Sequence, residues 1–136
     1  MRGSVIKVAS VAAMLVAAGA TVAGAQQGAT TRFTLPQVEV VVHALPFLSD
    51  EELATLKLVG QNQEALALFL PEGVRFGAMA VAPADGFIRN GIPVDSASAI
   101  SDLPDLGAAR SAALSQCNAA RSGGPACQIA LEIIPR

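Results

Sequence analysis

Two cysteines, Cys117 and Cys127, a single histidine, His43, and a scatter of aspartates and serines between positions 95 and 115 are the residues of this chain that could do chemistry. A closed zinc site needs four ligands, and two cysteines with one histidine would have to borrow a carboxylate from elsewhere. A thiol oxidoreductase would show Cys-x-x-Cys, with the reactive sulfur at a helix N-terminus. Here Cys117 falls near the end of an alanine-rich helical pattern, where the helix dipole disfavours a thiolate. An even cysteine count in an exported chain reads most simply as one disulfide. The bridge closes a loop of about eleven residues, for which chain entropy gives about 2.8 kcal/mol.

His43 could serve as a general base in a small hydrolase-like enzyme, with Glu39 and a serine or aspartate from the 95–105 stretch as partners. Its setting among valines reads instead as an ordinary, partly exposed strand position. Asp95, Asp102 and Asp105 do not have the spacing of an EF-hand loop, and Asp105 is placed to cap a helix. Ser96, Ser98, Ser101, Ser111 and Ser115 stand outside any G-x-S-x-G turn. These patterns call for no metal and no cofactor, and assign no catalytic residue.

The export reading comes from the N-terminus. Residues 1–25 carry Arg2 and Lys7, then a charge-free run of small apolar residues, then Ala23-Gly24-Ala25. That is a secretory signal with an A-x-A cleavage site after Ala25. Cleavage leaves 111 of the 136 residues, enough for one domain, and removes two positive charges, taking the net charge from −2 to −4. The negative charge opposes nucleic acid and anionic membrane as partners. No Trp or Tyr is present to stack on bases or sugars.

Residues 26–32 read as a flexible leader, with order starting near Phe33. "VEVVVHAL" is a β-branched strand. "FLSDEELATLKLVG" carries a capping box, Ser49 with Glu52, and predicts a short helix ending near Gly60. "EALALFL", "RFGAMAVA" and "GFIRNGIPV", separated by Pro/Gly turns, predict an antiparallel meander. "DSASAISDLPDLG" predicts a break before a helix from Leu106 to Ala120, capped by Asp105. On that helix Leu106, Ala109, Ala113, Cys117 and Ala120 form one stripe of mostly small residues. "CQIALEII" closes the chain as a strand placing Cys127 on one face with Ile129, Leu131 and Ile133.

The C-terminal half, "FGAMAVAPADG" (76–86), then "AALSQC" (112–117) and a cysteine opening the last strand, resembles a family of small exported bacterial domains, domain of unknown function 4189. The likeness spans about residues 75–134 and lacks the family's usual Trp and Tyr. It implies a periplasmic or secreted location and the cysteine bridge, and transfers no catalytic residue.

The expectation is therefore one α+β domain over residues 33–136, with an antiparallel sheet of about five strands, an Ala-rich helix disulfide-linked to the last strand, and a short helix in the N-terminal half. Its function is expected to be that of a non-enzymatic binding or accessory protein of the periplasm or secreted space. An enzyme using His43 and a structural envelope component are the alternatives. Because "EALALFL" and "FGAMAVA" are apolar on both faces, Phe69, Met79 and Val81 are expected to form an incompletely covered sheet face that binds an envelope protein or a second copy.

Overall fold

Alternating β-branched residues place β2 (Val38–His43) in the sheet, with Val40 and Val42 buried on one side and Glu39 and His43 on the other. The computed structural model describes residues 29–70 and 75–136. The expected signal segment with Ala23 and Ala25, residues 26–28 of the expected leader and the expected turn at 71–74 lie outside these. Regular structure begins before the expected Phe33, because β1 (Thr30–Thr34) already pairs with β2, Thr30 opposite His43 and Thr34 opposite Glu39. Threonine-rich "TTRFT" has strand-forming residues that its polarity disguised.

The sheet is antiparallel and five-stranded, in the order β1-β2-β7-β3-β6, with β3 at Phe76–Val81, β6 at Ser98–Leu103 and β7 at Gln128–Pro135. The fold class and strand number agree with expectation, but the strands are not all the expected ones. "EALALFL" is helical, part of α2 (Gln63–Phe69). Asn62 Oδ1 accepts the N–H groups of Glu64 and Ala65 at 2.9 and 3.1 Å, which caps a run of good helix formers containing no β-branched residue. Leu66 and Leu70, one turn apart, are buried, while Leu68 between them is 82 % exposed. "GFIRNGIPV" forms a separate hairpin, β4 (Ile88–Arg89) and β5 (Ile92–Pro93). Its turn residues Asn90 and Gly91 both have positive φ, as a tight hairpin requires. The expected break in "DSASAISDLPDLG" (95–107) contains β6, whose small polar residues hide its alternation.

Helix α1 (Asp50–Gln61) starts at the expected capping box and α3 (Leu106–Ala120) at the expected Asp105 cap. They lie on opposite faces of the sheet. Against α3, Ala109, Ala113 and Cys117 meet Ala78, Ala80 and Ala82, small side chains on both partners. On the other face, Leu56 and Val59 of α1 and Leu66 and Leu70 pack with Val40, Val42, Met79, Val81, Leu131 and Ile133.

That second core corrects the expected partner face. Met79 and Val81 are 1 % and 0 % exposed, and Phe69 is half-buried. Because "EALALFL" folds as a helix, it covers the sheet instead of extending it. Phe87, fully buried, completes the cover, its ring 5.9 Å from that of Phe69.

The last strand also departs from simple alternation. Met79 pairs with Leu131 but Ala80 pairs with Ile129, so one extra residue bulges from β7. Cys127 and Ile129 therefore belong to the α3 side, whereas Leu131 and Ile133 belong to the opposite core. The change of phase turns Glu132 towards α3.

Candidate functional site

Cys117, in the last turn of α3, is bonded to Cys127, one residue before β7, with their Cα atoms 6.2 Å apart. Both are buried, and Asn118 Oδ1 accepts the Cys127 N–H at 2.9 Å. The pair is a staple between helix and sheet, and neither sulfur is a free thiol.

His43 ends β2 and projects from the α3 side of the sheet. Its Nε2 is 2.9 Å from Glu132 Oε1, and Arg110 Nε of α3 donates to Glu132 Oε2. The Glu132 side chain is 4 % exposed, that of His43 30 % and that of Arg110 50 %. A buried carboxylate needs such partners. The His43 hydrogen bond, with the Arg110 hydrogen bond and charge, outweighs burial and holds the Glu132 carboxyl at about 2. On the other side of the ring, Thr30 Oγ1 lies 3.5 Å from His43 Nδ1.

Glu132 was not anticipated as the histidine's partner. The expected partners go elsewhere: Glu39 binds Arg32 at 2.6 Å, Asp102 pairs with Arg75 at 3.5 Å, and Asp105 caps α3 through the Ala108 N–H at 2.8 Å. Asp95 is exposed, and among the described residues no three His, Cys, Asp or Glu side chains converge as metal ligands. The clue was available in "CQIALEII", where one carboxylate interrupts an apolar closing strand. Only the bulge decides which face it takes.

Of the serines, Ser96 is buried and donates to Asp85 Oδ2 at 2.7 Å. Ser122 gives its N–H to Oδ2 at 3.1 Å and its hydroxyl to Oδ1. These bonds, Ser122 first and then Ser96, lower the Asp85 carboxyl below 3.8. Asp85 thus clamps the segment after β3, the approach to β6 and the loop after α3, a structural task.

Glu52 does more than complete its capping box. Oε1 accepts the Ser49 N–H at 3.0 Å, while Oε2 accepts the N–H groups of Phe87 and Ile88 at 2.6 and 2.9 Å. Burial pushes this carboxyl up, but the backbone N–H groups of Ser49, Ile88 and Phe87 outweigh it and leave it lowered from 4.5. It joins the start of α1 to the β4–β5 hairpin across a cleft of about 510 Å³. Ser49, Glu51 and Thr55 line one wall, and Ile88, Asn90 and Gly91 the other. Glu52 is consumed by N–H groups and Thr55 Oγ1 donates to the Glu51 carbonyl at 2.9 Å. The Glu51 carboxylate and the Asn90 amide are the groups left to meet a ligand, and they suit a cation with hydrogen-bond donors.

Comparison with known proteins adds no relative to this geometry: no family model matches the chain, and neither a curated protein nor a solved structure matches it.

Proposed function

We propose that this chain is exported, cleaved after Ala25, and acts in the periplasm or secreted space as a non-enzymatic binding or accessory domain that receives a cationic group in the α1–hairpin cleft. The observation that carries the reading is the cleft itself, acidic through Glu51 and held open between two elements locked together by Glu52. A lysine or arginine side chain of a partner protein can enter it and matches its charge. The buried disulfide supports an oxidising compartment, and the resemblance over 75–134 points to the same place. Among the described residues no helix is long and apolar enough to cross a membrane.

The test is a titration of the isotope-labelled chain with short Arg- and Lys-containing peptides, read by amide chemical shifts. Shifts confined to Ser49, Glu51, Thr55, Asn90 and Gly91, and lost in Glu51→Gln, support the reading. No shifts, or shifts centred on His43, contradict it.

One observation favours a second reading as an enzyme: the line Thr30 hydroxyl, His43 imidazole, Glu132 carboxylate has the order of nucleophile, base and orienting acid. Thr30 and Glu132 approach opposite ring nitrogens, as that order requires. Hydrolysis of an activated ester by the purified chain, abolished in both Thr30→Ala and His43→Ala, would establish it.

A further inference from the structure

We infer that the outer edge of β1 is a self-association site, where two copies of this chain pair β1 to β1 antiparallel and stop at a dimer. The inference rests on the backbone of one strand and does not depend on what the cleft binds.

The sheet ends in β1 on one side and β6 on the other, and the two edges are built differently. β6 is blunted. It carries an extra residue between Ile100 and Leu103 relative to Phe76 and Ala78 of β3, with Asp102 at φ 64°, and Pro104 follows it. Gly77 permits this bend, since a Cβ there would stand 2.9 Å from the Ile100 carbonyl oxygen. Asp102 is tied to Arg75 at 3.5 Å. Bulge, charge and proline are devices that stop strand addition.

β1 has no bulge and keeps one register over all five residues. Ala44 donates to the Ala29 carbonyl at 2.8 Å and Leu35 to the Val38 carbonyl at 2.9 Å. Odd-numbered residues therefore turn their backbone groups inward to β2. Alternation leaves the N–H and C=O groups of Thr30, Arg32 and Thr34 facing outward, and among the described residues no strand lies beyond them. A surface with one open edge and one blocked edge selects its own copy: pairing of β1 with β1 is isologous and closes, whereas two open edges would propagate.

Side chains choose the register. Centring the two-fold axis on Arg32 sets two like charges directly opposite, which is unfavourable. Centring it on Phe33 sets Arg32 opposite Thr34 of the second copy, in hydrogen-bonding pairs on both sides of the axis. Thr34 itself faces Glu39 on β2, so each Arg32 enters a row ending in a carboxylate. The two Phe33 rings, half-buried at the margin of the α1/α2 core, then meet as a cross-strand pair and join the two cores. Pro36, with no N–H, ends the ladder.

Sedimentation of the exported chain, with variants, tests this. The wild type is expected to reach twice the monomer mass as concentration rises and to go no further. Arg32→Pro removes one outward N–H without touching the inward ladder, and should weaken association at least tenfold with far-UV circular dichroism unchanged. Arg32→Ala keeps that N–H and should still dimerise. Phe33→Cys should form a covalent dimer on oxidation and Arg32→Cys should not, because only position 33 faces itself. A wild type that stays monomeric at millimolar concentration, a dimer indifferent to Arg32→Pro, growth beyond the dimer, or cross-linking through position 32 in place of 33 would overturn the inference.

Discussion

His43 on β2 and Glu132 on β7 are joined at 2.9 Å across neighbouring strands, and the bond makes the histidine a structural partner of a buried carboxylate. Removing it leaves Glu132 with Arg110 alone. His43→Ala is expected to cost about 1–3 kcal/mol of stability. Chemical denaturation measures it, and a double-mutant cycle with Arg110→Ala should show coupling, since both side chains serve one carboxylate.

Acid should find the same group. In the unfolded chain the Glu132 carboxyl titrates near 4.5, whereas in the folded chain His43 and then Arg110 hold it at about 2. The ionised form favours folding, so the contribution is complete above pH 4.5 and is lost as pH falls through 2. Its size is on the order of 2–3 kcal/mol, reduced by the exposure of both partner side chains. Stability curves of the wild type and Glu132→Gln should converge below about pH 2; curves that stay parallel from pH 6 to 2 would show that the carboxylate contributes nothing through its charge.

Met79 belongs to the expected partner face and is instead core. Met79→Asp should therefore prevent folding, where a surface site would tolerate it, and Met79→Ala should cost about 2–5 kcal/mol. Thermal melts distinguish the two cases.

Glu52 serves both the α1 cap and the hairpin, so its loss should exceed that of its capping partner. Ser49→Ala is expected to cost about 1 kcal/mol. Glu52→Ala, which also strips the acceptor from the Phe87 and Ile88 N–H groups, should cost about 2–4 kcal/mol and raise amide exchange at both. Equal costs would mean that the hairpin contacts add nothing.

These assignments separate what was legible in the residues from what was not. The Ser49–Glu52 box, the Asp105 cap, the valine strand and the cysteine pair are local signals, each confined to a few neighbouring positions, and each is found where expected. "EALALFL" misled because a seven-residue run dominated by Leu and Ala satisfies a period of two as readily as a helical stripe, and only the Asn62 cap distinguishes them. β6 was hidden by small polar residues. The bulge in β7 leaves no mark in "CQIALEII", so neither the face of Glu132 nor its meeting with His43 could be read from spacing.

The staple is the feature that bears on both the fold and the proposed export. Cys117→Ala should lower stability by about 2–5 kcal/mol, and should do so only if the bond forms in the cell. Intact mass of the chain recovered from the exported compartment, with alkylation before and after reduction, tests this most directly. The account predicts a chain beginning at Gln26 that takes up no alkylating reagent until it is reduced, and then takes up two. A chain that retains residues 1–25, or that alkylates at Cys117 and Cys127 without reduction, would contradict it.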